Sequence, residues 1–187
     1  DELEGKEAVT WSYLLHTVEL PMEMQELGNE VKVTGKNKAG GISVAHLFSS
    51  AKTEQAIVDT FFCAPTNWKN VTNAQGKAMK YPNHWHFSST TVPCKIARFL
   101  TVMDTHGNNR PDMKVIRKGN TVQVGDWIIT CNLTDKGKSA ISVTNKTEKV
   151  SLNYDAGKKE GVTIVTDQVN GKQVNKVLTD YLPDFEI

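Results

Sequence analysis

The amino-acid sequence predicts an all-β protein, an antiparallel β-sandwich of about a dozen strands with almost no helix. Three features lead there. Short runs rich in Val, Ile, Thr and aromatic residues succeed one another along the whole chain. Gly-, Asn- and Asp-containing dipeptides of the kind that build tight hairpins separate them. A helical period of apolar residues is nearly absent, the best candidate being the single turn Ala51 to Ala56. Regular strands at this spacing without helices are the pattern of a sandwich.

In chain order the expected strands of the first half are Val9 to Leu20, Glu30 to Gly35, Gly41 to Phe48, Ala56 to Phe62, His84 to Val92 and Ala97 to Met103. The second half continues with Met113 to Arg117, Thr121 to Val124, Trp127 to Leu133, Ala140 to Thr144, Val150 to Asn153, Val162 to Val169 and Gln173 to Leu178. Lys118-Gly119-Asn120, Gly125-Asp126, Asp135-Lys136-Gly137 and Asn170-Gly171 fall between these runs. Asn-Gly between two β-branched runs supplies the positive φ angles of a tight turn, which makes Val162 to Leu178 the clearest hairpin.

Two passages interrupt the strands. Ala64 to Pro82 is long, polar and turn-forming, and reads as a surface loop of functional length. "DTHGNNRPD", Asp104 to Asp112, is dense in Gly, Asn and Pro and separates a larger N-terminal sheet region, 1–104, from a smaller C-terminal one, 113–187, within one sandwich domain. A chain of 187 residues is long enough to bury a core of its own. Hydrophobic content of 39% with 23% charged residues argues against wholesale disorder.

Composition also removes partner classes. The net charge of +1, from 22 basic and 21 acidic residues, creates no field that draws the chain to nucleic acid. No apolar run reaches the roughly 20 residues of a membrane span. Three separated cysteines, Cys63, Cys94 and Cys131, fit neither a zinc ribbon nor a complete disulfide framework. The opening Asp-Glu-Leu-Glu, without Met or signal peptide, reads as a processed chain or an excised piece. No Gly-x-Ser-x-Gly elbow and no phosphate-cradling loop before a helix is present, which counts against hydrolase and nucleotide chemistry.

The candidate site residues are few. "HWHF" sets His84 and His86 two apart on one face of a strand, a two-histidine half-site for a metal that still needs further ligands; the ordinary alternative is a wet strand face with Trp85 and Phe87 turned to the core. In "TWSYLLHTVELP", Trp11, Tyr13 and Leu15 alternate with Ser12, Leu14 and His16. Both faces are partly apolar, so this strand is expected to be buried on both sides with His16 held by a hydrogen bond. Trp68 and Tyr81 flank the long polar loop and offer flat platforms for sugar rings, with Asn67, Lys69, Asn70 and Asn73 as hydroxyl partners; packing of both rings onto the core is the competing use. Three Asn-x-Thr sequons stand at Asn70, Asn132 and Asn145.

"TWSYLLHT", followed after a β-rich interval by "HWHFSSTTVPCKIARFLTVM" and then "GDWIITCNL", resembles the C-terminal β-region of heparinase II/III-like polysaccharide lyases. The resemblance covers most of the chain on loose motifs. It implies a parent that joins an N-terminal α-helical toroid to a β-sandwich region and cleaves acidic polysaccharide by β-elimination. A base takes the C5 proton of a uronic acid whose carboxylate is neutralised, and an acid protonates the leaving oxygen. In such lyases the tyrosine, the asparagine and one histidine of that machinery come from the toroid, which this sequence lacks. The resemblance further implies a structural metal such as zinc in some intact parents, with His16 in the position similar to one ligand and the rest upstream. No bound cofactor is expected in this chain.

Three readings follow. The first is a non-catalytic β-sandwich domain of a secreted or periplasmic polysaccharide lyase, supporting the upstream toroid and contacting acidic polysaccharide. The second is an independent carbohydrate-binding or adhesion module. The third is a metal-dependent enzyme on a cupin-like barrel using His84 and His86.

Overall fold

The structure is a computed structural model and describes residues 1–18, 20–59, 74–77, 84–148, 150–155, 163–169 and 172–178. Among these residues the chain is all-β, with fifteen strands in three antiparallel sheets. No described helix is long and apolar enough to cross a membrane. Two compact units form, one of Leu3–Asp112 and one of Met113–Ile187 with Asp1–Glu2.

The first unit is a sandwich. Its larger sheet has the order β1-β8-β5-β4-β3, from Glu2–Val9, Cys94–Gly107, Gly41–Ser49, Glu30–Lys36 and Glu23–Leu27. Its smaller sheet has the order β2-β7-β6, from Ser12–Val18, His84–Thr91 and Thr53–Val58. Alternation along each strand sends one set of side chains to the space between the sheets. Val31 and Val33 of β4, Ala45 and Leu47 of β5, Ala97 and Phe99 of β8 and Phe87 of β7 meet there, with Trp11, Tyr13, Leu15 and Ile57 packed against them. Phe87 is 0% exposed. A fully buried side chain of that size contributes roughly 1.5–3 kcal/mol. The other face of the larger sheet also buries side chains: Val44, His46 and Phe48 of β5, with Arg98 and Asp104 of β8.

The second unit is a meander, β15-β14-β13-β12-β11-β10-β9, in which every strand pairs with its sequence neighbour. Its strands are Val115–Lys118, Thr121–Val124, Trp127–Cys131, Ala140–Asn145, Val150–Asp155, Thr163–Val169 and Lys172–Leu178, β9 to β15. Lys118 pairs with Thr121 and Val124 with Trp127, leaving two-residue turns that open on Gly119 (φ 59°) and Gly125 (φ 55°). Residues with a Cβ rarely adopt that backbone, so glycine sets both turns. Val122 and Val124 are buried while Gln123 between them is exposed.

Several expectations change. The run Val9 to Leu20 is divided: β1 ends at Val9 in the larger sheet and β2 begins at Ser12 in the smaller one. Trp11 makes the crossing, accepting from Thr91 N at 2.8 Å, donating its own N–H to Thr91 Oγ1 at 3.0 Å and its ring N–H to the Cys94 carbonyl at 3.1 Å. Two strands, "ELEGKEAV" and "EMQEL", stand beyond those the pattern predicts. Both are charged outer strands of their sheet, where one neighbour is missing and the apolar alternation that marks a strand is weakest. The one-turn helix at Ala51 to Ala56 is instead a bend leading into β6, stabilised by pairing with β7.

Candidate functional site

The three-stranded sheet brings together the histidines singled out in the sequence. β2 and β7 pair antiparallel with Leu15 opposite Phe87, His16 opposite His86 and Val18 opposite His84. Phe87 is drawn into the core, and period-two alternation then turns His84 and His86 to the outer face. Tyr13 packs across the sandwich on Phe99, ring centroids 5.8 Å apart, which fixes β2 in the same phase. His16 thus falls on the outer face as well.

His16 is exposed, which corrects the expectation of a strand buried on both sides. Leu14 on the same face is 54% exposed, so the apolar character of that face marks surface rather than core. The rings of His16 and His86 meet edge to face, 4.4 Å between centroids and 72° between planes. Burial lowers the His86 pKa, and the neighbouring His16 and His84 lower it further, because a second positive charge beside either ring is unfavourable. Along the same face Ser12 and Thr90 share a hydroxyl hydrogen bond of 2.9 Å. Ala56 and Val58 of β6 flank Ser88 and His86 in register. The surface therefore carries imidazoles at one end, hydroxyls at the other and exposed aliphatic side chains between.

As a metal centre this arrangement supplies two adjacent imidazoles from neighbouring strands. Among the described residues no three His, Cys, Asp or Glu side chains are grouped to hold an ion. The remaining described histidines are elsewhere. His46 lies on the face of the larger sheet turned away from the sandwich core, its Nδ1 2.5 Å from Glu30 Oε1. His106 Nε2 is 3.1 Å from Asp112 Oδ1, and its Nδ1 is 2.8 Å from the Gly107 carbonyl.

Close to His16 a mostly apolar cavity of about 80 Å³ opens, lined among others by Leu15, Met22, Val33, Ala45 and Met103. Ligand pockets for drug-sized molecules run to roughly 300 Å³ and above, and this one is smaller. Trp68, Tyr81, Asn67 and Lys69, the sugar-platform residues, lie outside the described residues, as do Asn70 and Asn73.

Two polar assemblies escaped the sequence reading. In the first, Lys32 Nζ donates to Asp112 Oδ2 at 2.6 Å and the Arg110 guanidinium forks onto Asp104, with Nη1 to Oδ2 at 3.0 Å. The hydrogen bond from Lys32 holds the Asp112 carboxyl below its ordinary pKa, and the bond to Asp104 raises that of Arg110. Opposite charges spaced along "DTHGNNRPD" were the available signal. In the second, the sequon asparagines Asn132 and Asn145 build turns. Asn132 Nδ2 donates to the Lys136 and Lys138 carbonyls at 2.8 and 3.0 Å, and Oδ1 accepts from Thr134 N and Oγ1. Asn145, 5% exposed, accepts from the N–H groups of Thr147 and Glu148, each at 3.0 Å.

No known family model matches the chain, and no curated protein matches its sequence. What the fold and the site define is an all-β sandwich protein with an imidazole- and hydroxyl-bearing sheet face.

Proposed function

We propose that this chain is a non-catalytic β-sandwich domain of a heparinase II/III-like polysaccharide lyase, from a secreted or periplasmic enzyme, and that it contacts acidic polysaccharide beside an α-helical toroid. One observation supports this reading above the others. Two stretches that carry part of the likeness, "TWSYLLHT" and "HWHFSSTT", are neighbouring strands joined in register from Ser12 opposite Thr90 to Val18 opposite His84. That part of the likeness falls on one continuous patch of sheet. That patch presents His16 as a donor for carboxylate or sulfate beside the His86 ring, and Ser12 and Thr90 as partners for sugar hydroxyls. Its part is to position the polymer, while the base and the group that neutralises the uronate carboxylate come from the toroid.

The test is a titration of the chain with heparin, heparan sulfate, chondroitin and alginate oligosaccharides, followed by backbone and imidazole resonances. Millimolar or tighter binding with shifts centred on His16, His86 and Thr90, weakened in His16→Ala, is the expected result. No binding at millimolar sugar would overturn the contact. Several hundred helical residues encoded upstream of Asp1 are expected of the parent gene, whereas a signal peptide directly before Asp1 would point to an independent carbohydrate-binding module.

A further inference from the structure

We propose that residues 107–112 form a strap held on the larger sheet by ion pairs rather than by apolar burial, a latch that opens when those pairs are broken while the sandwich beneath stays folded. The inference is independent of the lyase reading.

The strap's sequence is Gly-Asn-Asn-Arg-Pro-Asp, and every one of its residues is exposed. It has no large apolar side chain to bury, so the hydrophobic term that holds the sandwich sheets together is missing here. Its grip comes from two charged residues. Asp112 reaches Lys32 of β4 at 2.6 Å and His106 of β8 at 3.1 Å. Arg110 forks onto Asp104 of β8 and adds bonds to the Thr105 and Pro111 carbonyls at 3.4 and 3.1 Å. The sheet-side anchors are recessed: the side chains of Asp104 and His106 are 4% and 3% exposed. Recessed charges fix the geometry of the fork, and an Arg–carboxylate fork is the strongest ion-pair arrangement available to a surface segment.

Lys32, His106, Asp104 and Arg110 face Asp112 or one another, as above. On the same face of the sheet Glu30 is paired with His46 at 2.5 Å, and Lys36 with Glu23 at 2.9 Å. Asp112 keeps its charge throughout the neutral range because Lys32 stabilises the carboxylate. The latch therefore answers to salt and to loss of a partner. Asp112 is the last residue of the sandwich unit, so the latch decides whether the chain leaves that unit from a held or a released point.

Backbone ¹⁵N order parameters of the full chain at pH 7 test this. In Lys32→Met/Arg110→Met, those of residues 108–110 and 112 are expected to fall from rigid values near about 0.85 to below about 0.6, with Val44 to Phe48 of β5 unchanged. Molar salt should shift the parent chain in the same direction. Should the double variant weaken the sheet itself, Asp112→Ala with Arg110→Met removes the ion pairs from the strap side alone. Order parameters in the strap within about 0.1 of the parent chain in both variants, or an equal fall across β5, would overturn the proposal.

Discussion

Gly35 and Thr17 interlock: a Cβ added to residue 35 would stand 2.6 Å from Thr17 Cγ2. Thr17 is held in turn by its hydroxyl, which donates to the Leu20 carbonyl at 3.1 Å as the chain leaves β2. Gly35→Ala therefore drives a methyl into a fixed neighbour, and overpacking of this kind costs about 1–3 kcal/mol. Adding Thr17→Ser, which removes Cγ2 and keeps the hydroxyl, should recover most of that loss in a denaturant titration. Equal stabilities of the single and double variants would show that the contact is not the cause.

Phe87 and His16 lie on neighbouring strands yet should respond oppositely to truncation. Phe87→Ala empties the centre of the sandwich and is expected to cost about 3–5 kcal/mol. His16→Ala removes a ring from an exposed face and should stay within about 0.5 kcal/mol. Thermal unfolding followed by circular dichroism distinguishes the two. A large loss for His16→Ala would restore it to a buried role.

Acid should weaken the strap's attachment in a defined direction. The folded-state pKa of Asp112 lies below its ordinary value of 3.8, with the bond from Lys32 as the main cause. Its stabilising contribution is therefore complete above about pH 4 and is lost as pH falls through the folded pKa. Unfolding midpoints of the parent chain and Asp112→Asn should differ at pH 7 and converge once the pH has fallen through the folded pKa of Asp112. Parallel curves over the whole range would remove Asp112 from the acid response.

Asn132 is expected to matter to the second unit through its amide. Asn132→Ala breaks the four bonds that shape residues 132–138, and net contributions of about 0.5–1.5 kcal/mol each, partly recovered by water, suggest a loss of about 1–2 kcal/mol. Asn132→Asp keeps the acceptor and loses the two donors, so it should fall between. The urea midpoints of the three chains order the contributions, and an Asn132→Asp variant as stable as the parent chain would assign the turn to Oδ1 alone.

Strand positions were largely legible because β-branched and aromatic runs, and the glycines between them, act locally. Thr121–Val124 was read to the residue, and Gly119 and Gly125 were recognisable as turn formers. The charged strands Glu2–Val9 and Glu23–Leu27 were not, since what makes them strands is a neighbour's unpaired edge rather than their own side chains. For the candidate site, the spacing of His84 and His86 gave their shared face correctly. The side to which Ser12, Leu14 and His16 point was misread, because a moderately apolar face looks the same in sequence whether it meets a core or solvent.

By itself the amino-acid sequence determined an all-β chain, the turns that cut it into strands and the residue types able to bind. The tertiary structure alone decided that "TWSYLLHT" lies beside "HWHFSSTT", that His16 meets His86 on an exposed face, and that Asp112 returns to Lys32. The physical reason is range. Propensity and turn chemistry act over a few residues, whereas pairing of strands seventy residues apart depends on which sheet edges and apolar faces are left for each other once the whole core has closed.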